Sequence, residues 1–270
     1  MSSSVLNRHN VTVLGEGKRV IVLAHGFGCD QRVWRFVAPQ LAKDHRVVLF
    51  DHAGCGQSDL SAWHPARYSG LEDYARDVVE LIDAISSEPV VYVGHSISSS
   101  IGMLAAIAAP DRFDRLIMLA PNPCFINDPP DYVGGFERAD VLDLLDLMDQ
   151  NMAGWANFFA PVAMRNADRP ELADELQHSL CAGDPAIVRH FARLVFLSDV
   201  RPYLGHLQVP VLIAQCDDDA VAPSSVGSYL QQHIPHATLR HMVATGHCPH
   251  MSYPDETVAV IRDYLGQSLR

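Results

Sequence analysis

The chain predicts an α/β fold, a mainly parallel sheet flanked by helices with a block of helices inserted into it. Three observations carry the prediction. Short β-branched runs alternate with longer helical patterns up to Ala120, and such alternation means right-handed crossovers onto a parallel sheet. The rhythm breaks at Pro121, and no convincing strand falls between Cys124 and Leu197. It resumes at Val209 and runs on to the last helix. No Gly-, Pro- or Ser-rich linker divides the chain and no repeat is present. Residues 1–123 and 198–270 therefore read as one core and residues 124–197 as an insertion in it.

Residues 11–14 read as a strand. Residues 19–24 form a nearly continuous apolar run, as in a strand covered on both faces. Residues 31–41 predict a helix and 46–50 a second buried strand. Leu71, Tyr74, Ala75, Val78, Leu81, Ile82 and Ile85 fall at i, i+3, i+4 spacing, an amphipathic helix with Glu72, Asp73, Arg76, Asp77, Glu80 and Asp83 on its wet side. Residues 90–93 and 116–120 are further buried strands, with a helix over 97–109 between them that stops at Pro110. Helices are expected at 141–148, 154–164, 171–180 and 187–197. Asp140, Asp143, Asp146 and Asp149 mark a solvated face of the first of these. The remainder reads as strand 211–214, helix 224–233, strand 238–242 and a closing helix over 256–269.

Of the 270 residues, 48% are hydrophobic and 19% charged, which is globular and not disordered composition. A net charge of −12 repels phosphate backbones and anionic lipid, so neither nucleic acid nor a membrane surface is an expected partner. Residues 1–10 hold no apolar core of signal-peptide length, and no run approaches the ~18 apolar residues of a membrane span. Six cysteines without paired spacing read as reduced thiols. A cytoplasmic setting is the expectation.

The strongest chemical signal is Val91-Tyr-Val-Gly-His-Ser96-Ile-Ser-Ser. A buried strand runs into a tight turn and then a helix, with serine at the apex, the context of a nucleophile elbow. The turn crowds the positions two before and two after, here Gly94 and Ser98. Glycine is usual at both, so Ser98 is a departure. In Leu23-Ala-His25-Gly26-Phe27-Gly28, glycines free the main chain to aim an N–H at a ligand. The N–H groups of Phe27 and Ile97 are the candidate oxyanion hole. Asp51-His-Ala-Gly54-Cys-Gly56-Gln-Ser58-Asp59 lacks the third glycine of a dinucleotide loop and reads as a tight supporting turn. Asp217, Asp218 and Asp219 follow strand 211–214 and offer one carboxylate to a histidine. Gly246 allows the turn that returns His247 over the sheet. His247-x-x-His250 has no third ligand, so no metal site is expected. The chain order is Ser96, an Asp at 217–219, then His247, all after strands at their carboxyl ends, where open α/β sheets bind ligands.

Along its whole length the chain resembles the α/β-hydrolase superfamily. More narrowly it is similar to the RsbQ-like hydrolases that regulate bacterial stress responses, and to the plant karrikin and strigolactone receptor-hydrolases. The residues that carry this are Gly26-Phe-Gly-Cys-Asp-Gln31 with Val33-Trp34, Asn127-Asp-Pro-Pro-Asp-Tyr, Gly134-Gly-Phe136, Leu197-Ser-Asp-Val-Arg201, Gln215-Cys and Gly246-His-Cys-Pro-His-Met251. The elbow Gly-His-Ser-Ile-Ser is nearer the plant receptors than the bacterial regulator. The resemblance implies that Asp219 is the triad acid, that the insertion is a four-helix lid, and that Phe27, Phe136, Trp155, Phe159 and Phe196 line a closed apolar pocket. It implies a Ser96–His247–Asp219 hydrolase for a small, mostly apolar ester, lactone or enol ether, with no cofactor. It also implies a signalling role through a partner such as a PAS-domain phosphatase or another sensor protein. Dehalogenases and epoxide hydrolases of this fold use a carboxylate at the elbow, where this chain has Ser96. Cys216 and Cys248 adjoin triad positions and read as packing.

Overall fold

Apolar runs buried on both faces require helices on both sides of a sheet, and the computed structural model has this arrangement. It describes residues 2–266. The strands are β1 (Thr12–Leu14), β2 (Val20–Ala24), β3 (Arg46–Phe50), β4 (Val90–His95), β5 (Phe113–Leu119), β6 (Val211–Asp218) and β7 (Ala237–Thr245). They lie in one sheet in the order β1-β3-β2-β4-β5-β6-β7. β1 is antiparallel to β3 and every other pair is parallel. β2 and β4 are buried at every residue because neighbours flank them and helices cover them.

The helices are α1 (Ser2–Arg8), α2 (Ala38–Leu41), α3 (Leu71–Ile85), α4 (Ile97–Ala108), α5 (Arg138–Gln150), α6 (Met152–Met164), α7 (Pro170–Ala182), α8 (Pro185–Leu197), α9 (Ser224–His233), α10 (Pro249–Ser252) and α11 (Pro254–Gly266). α5–α8 form the four-helix insertion between β5 and β6. Among the described residues no helix is long and apolar enough to cross a membrane.

The structure differs from the sequence expectation in several places. The helix expected over 31–41 is a 3-10 turn, Gln31–Trp34, followed by the short α2. Asp30 caps the turn by accepting from Arg32 N–H, and Pro39 has no N–H to continue a helical ladder. Asp77, expected on the wet side of α3, is buried. The Tyr68 hydroxyl donates to it at 2.6 Å and the Arg8 guanidinium, delivered by the unforeseen α1, lies 3.1 Å away. These partners satisfy a carboxylate that burial alone would penalise. The closing helix begins two residues earlier than expected, at Pro254, and the expected residues 267–269 lie outside the described residues.

Candidate active site

Ser96 sits between β4 and α4 at φ 54°, ψ −123°. A side chain rarely adopts this conformation. It is held from both sides, since Ser96 N–H donates to Leu119 O and Ser99 N–H to Ser96 O, each at 2.9 Å. The turn is so tight that a Cβ on residue 94 would stand 2.4 Å from Ser98 O. Ser98, where glycine is usual, is fully buried and satisfied. Its hydroxyl donates to His25 O at 2.5 Å, so the His52 ring donates to Ser98 Oγ through Nε2 at 2.7 Å.

His247 Nε2 lies 2.7 Å from Ser96 Oγ, and His247 Nδ1 lies 2.7 Å from Asp219 Oδ2. Asp219 can only accept, so Nδ1 carries the proton and the Nε2 lone pair faces the serine hydroxyl. The other Asp219 oxygen accepts from Val221 and Ala222 N–H at 2.8 and 3.0 Å, which fixes the carboxylate in place. The neighbouring carboxylates point away. Asp217 meets His241 and Asp218 meets Arg165, both pairs at the surface.

Three contacts hold the loop that carries His247. Gly246 adopts φ 80°, and its N–H donates to Asp218 O at 2.8 Å. His247 N–H donates to Ala163 O of α6 at 2.7 Å. His247 O accepts from His95 Nε2 at 2.7 Å, so the residue preceding the nucleophile ties down the loop of its partner. Sequence reasoning treated His95 only as part of the elbow motif, and no local signal announces this bond across 152 positions.

The catalytic side chains face a mostly apolar cavity of about 30 Å³. Phe27, Phe159 and Phe196 line it beside Ser96 and His247. Trp155 stands one layer behind, stacked on Phe159 with ring centroids 5.0 Å apart. Phe136 is not in the lining; its backbone bridges Phe125 and Asn127, and its side chain packs half-buried against the core. Phe125, Leu176, Leu180 and Val221 are in the lining and were not expected there. Their only sequence signal is apolar character at helical or loop positions, which core residues share.

Ile97 opens α4, where the first N–H groups have no carbonyl one turn back to bond. Burial pushes the Cys29 thiol up to about 12, and Cys216 and Cys248 likewise upward, which keeps them protonated and poor nucleophiles. His250 is fully buried against Trp34 and His95, with its pKa pushed down to about 3 by that burial.

A hydroxyl, an imidazole and a buried carboxylate in this relay, on the carboxyl edge of a parallel sheet, make an esterase-type serine hydrolase. The chain belongs to the α/β-hydrolase family: the family model for the alpha/beta hydrolase fold matches residues 19–254. Among curated relatives, the karrikin insensitive 2 receptor CA of Petunia hybrida is 37% identical over 258 residues, covering 95% of each chain. The strigolactone esterase RMS3 of Pisum sativum is 37% identical over 255 residues, covering 94% of this chain and 95% of its own. Among solved structures, a hydrolase from Oleispira antarctica superposes with a TM-score of 0.96 at 42% identity, covering 99% of this chain and 98% of its own.

Proposed function

We propose that this protein hydrolyses a small, mostly apolar ester, lactone or enol ether through Ser96, His247 and Asp219. The observation that carries the reading is the unbroken 2.7 Å and 2.7 Å relay opening on an apolar cavity. His247 Nε2 takes the Ser96 proton as Ser96 Oγ attacks the carbonyl carbon. Asp219 keeps the imidazole in the accepting tautomer and stabilises its cationic form. The N–H groups of Phe27 and Ile97 receive the developing oxyanion; a donor of this kind is worth roughly 10²–10³ in rate. His247 then hands the proton to the leaving oxygen, and a water activated by the same imidazole releases the acyl group. Residues 124–197 act as a lid on the core formed by 1–123 and 198–270. Six unpaired thiols support a reducing, cytoplasmic setting.

The test is Ser96→Ala. Turnover of p-nitrophenyl acetate should fall to the uncatalysed rate while the melting temperature holds. Undiminished turnover in the folded variant removes the assignment.

A second reading is a ligand sensor of the RsbQ-like or plant-receptor kind, acting through a sensor protein with slow hydrolysis. Its support is that relatives 37% identical over nearly the whole chain include a protein named as a receptor. Signalling that survives in a Ser96→Ala strain favours this reading over the first.

A further inference from the structure

His25, His52 and Ser98 lie just past the carboxyl ends of β2, β3 and β4, in the part of the sheet where β2 runs between the other two. All three are buried, and none lines the cavity at Ser96. His52 N–H donates to His25 Nε2 at 3.1 Å. That nitrogen therefore holds the lone pair and His25 Nδ1 the proton, so Nδ1–H donates to Gly26 O at 2.8 Å. From its other end, the His52 ring donates through Nε2 to Ser98 Oγ, and the Ser98 hydroxyl donates to His25 O. Burial lowers the pKa of both rings, which keeps them neutral as these roles require. The bonds form a closed circuit that joins the turn after β3, the loop after β2 and the first turn of α4.

The circuit reaches two N–H groups. Gly26 O belongs to the same peptide as Phe27 N–H, and that peptide is trans. A trans peptide aims its C=O and its N–H in opposite directions. Pinning Gly26 O to the His25 ring therefore sets the direction of Phe27 N–H. Ser98 follows Ile97 in the first turn of α4, so its bond to His25 O ties the Ile97 N–H to the loop that carries the Phe27 N–H. The two segments are in close contact: a Cβ on residue 26 would stand 3.3 Å from the Ser96 Cβ and 2.6 Å from His95 Nδ1. Glycine at position 98 would supply no hydroxyl. It would leave His25 O and the His52 Nε2–H unpaired in a dry interior, where an unmade bond is costly.

We propose that Ser98 and His52, acting through His25, are positioning residues that hold the Phe27 and Ile97 N–H groups at the separation and direction an oxyanion needs. This rests on the hydrolase reading above. Ser98 is then not a tolerated stand-in for glycine: its hydroxyl bolts the loop after β2 to the nucleophile elbow. The two N–H groups matter most once negative charge has grown on the carbonyl oxygen. Loosening them therefore lowers kcat and leaves KM nearly unchanged.

The experiment restores the usual glycine. Ser98→Gly and Ser98→Ala remove the hydroxyl, His52→Leu removes its donor, and His52→Gln keeps an N–H near the place of Nε2. With p-nitrophenyl acetate, both Ser98 variants and His52→Leu should lose about tenfold or more in kcat, as misplaced donors require, with KM within about threefold. His52→Gln should recover most of that loss, and Ser98→Ala combined with His52→Leu should lose little more than either alone. A second readout uses 1,1,1-trifluoroacetone carrying 13C at its carbonyl. Ser96 Oγ adds to that carbon, the Ser96 proton passes to His247, and the carbonyl oxygen becomes an oxyanion. The pH at which NMR shows this oxygen taking up a proton should rise by about one unit in Ser98→Ala, the counterpart of a tenfold weaker hold on the charge. Full kcat in Ser98→Gly, or a lost kcat with an unshifted oxyanion titration, overturns the inference and leaves the triad reading intact. Should neither Ser98 variant fold, an equal loss in His52→Leu and His52→Gln overturns it, and recovery in His52→Gln alone supports it. A parent that cleaves no ester and forms no adduct overturns the hydrolase reading itself.

Discussion

Asp219 is one of three consecutive aspartates, and its neighbours are chemically identical to it. What separates them is where each backbone position points. The Asp219 side chain has no exposure and bonds His247 and two N–H groups, whereas Asp217 and Asp218 are 66% and 59% exposed. Asp219→Asn keeps the shape, but its amide favours the wrong histidine tautomer. We expect kcat for p-nitrophenyl acetate to fall about 10⁴-fold. Asp218→Asn should stay within about twofold, because a surface pair contributes little. Equal effects at the two positions would contradict the relay. Ser98 makes a similar point in the opposite direction. It stands where glycine is usual, and its hydroxyl joins His25 O and His52 in a buried, satisfied pair of bonds, which no rule about residue size reveals.

Helix α6 belongs to the four-helix insertion and also braces the loop that carries His247. Its last carbonyls have no intrahelical donor, and they are used by the active-site loop: Ala163 O accepts from His247 N–H. Just beyond the helix, buried Asn166 donates to Met164 O at 2.5 Å and to Thr245 O at 3.1 Å, clamping α6 to the end of β7. Asn166→Ala leaves both carbonyls without that donor, at a cost of about 1–3 kcal/mol. The melting temperature should drop by several degrees, and kcat/KM should fall about tenfold as the His247 loop loosens. Paired melts and ester kinetics check this; a stable variant with full activity would mean that insertion and triad are independent. The elements themselves were largely legible. Val20–Ala24 and Arg46–Phe50 announce themselves because β-branched runs shielded on both faces have no other economical conformation. The 31–41 segment was not, since a capping Asp30 and Pro39 interrupt a pattern that hydrophobic spacing alone continues.

At the scale of the molecule, the sheet gathers imidazoles into a dry interior. His25, His52, His95 and His250 are all fully buried, and desolvation lowers the pKa of each below the ordinary 6.5. The unfolded chain takes up protons near that ordinary value and the folded one does not. Below about pH 6.5 the unfolded state therefore binds more protons, and stability falls as pH falls. Each such histidine contributes a slope of roughly 1 kcal/mol per pH unit between 6.5 and its folded value. For His250 that window reaches down to about 3. Urea titrations should show a steady loss of stability from pH 7 to pH 5, and His250→Phe should flatten the curve by about one proton. A flat parental profile would show that these rings take up protons equally in the folded and the unfolded chain.

The class of the fold, the serine at the elbow, and the order of serine, acid and histidine are all written in local patterns. Each depends on a few adjacent residues: an apolar run, a glycine two before a serine, a turn after a strand. The choice among three aspartates by physical contact, the bond from His95 to His247 and the exclusion of Phe136 from the cavity emerged only from the packed chain. Those features are meetings between side chains tens to hundreds of positions apart, set by how helices α5–α8 close over the sheet, and local spacing carries no record of such meetings.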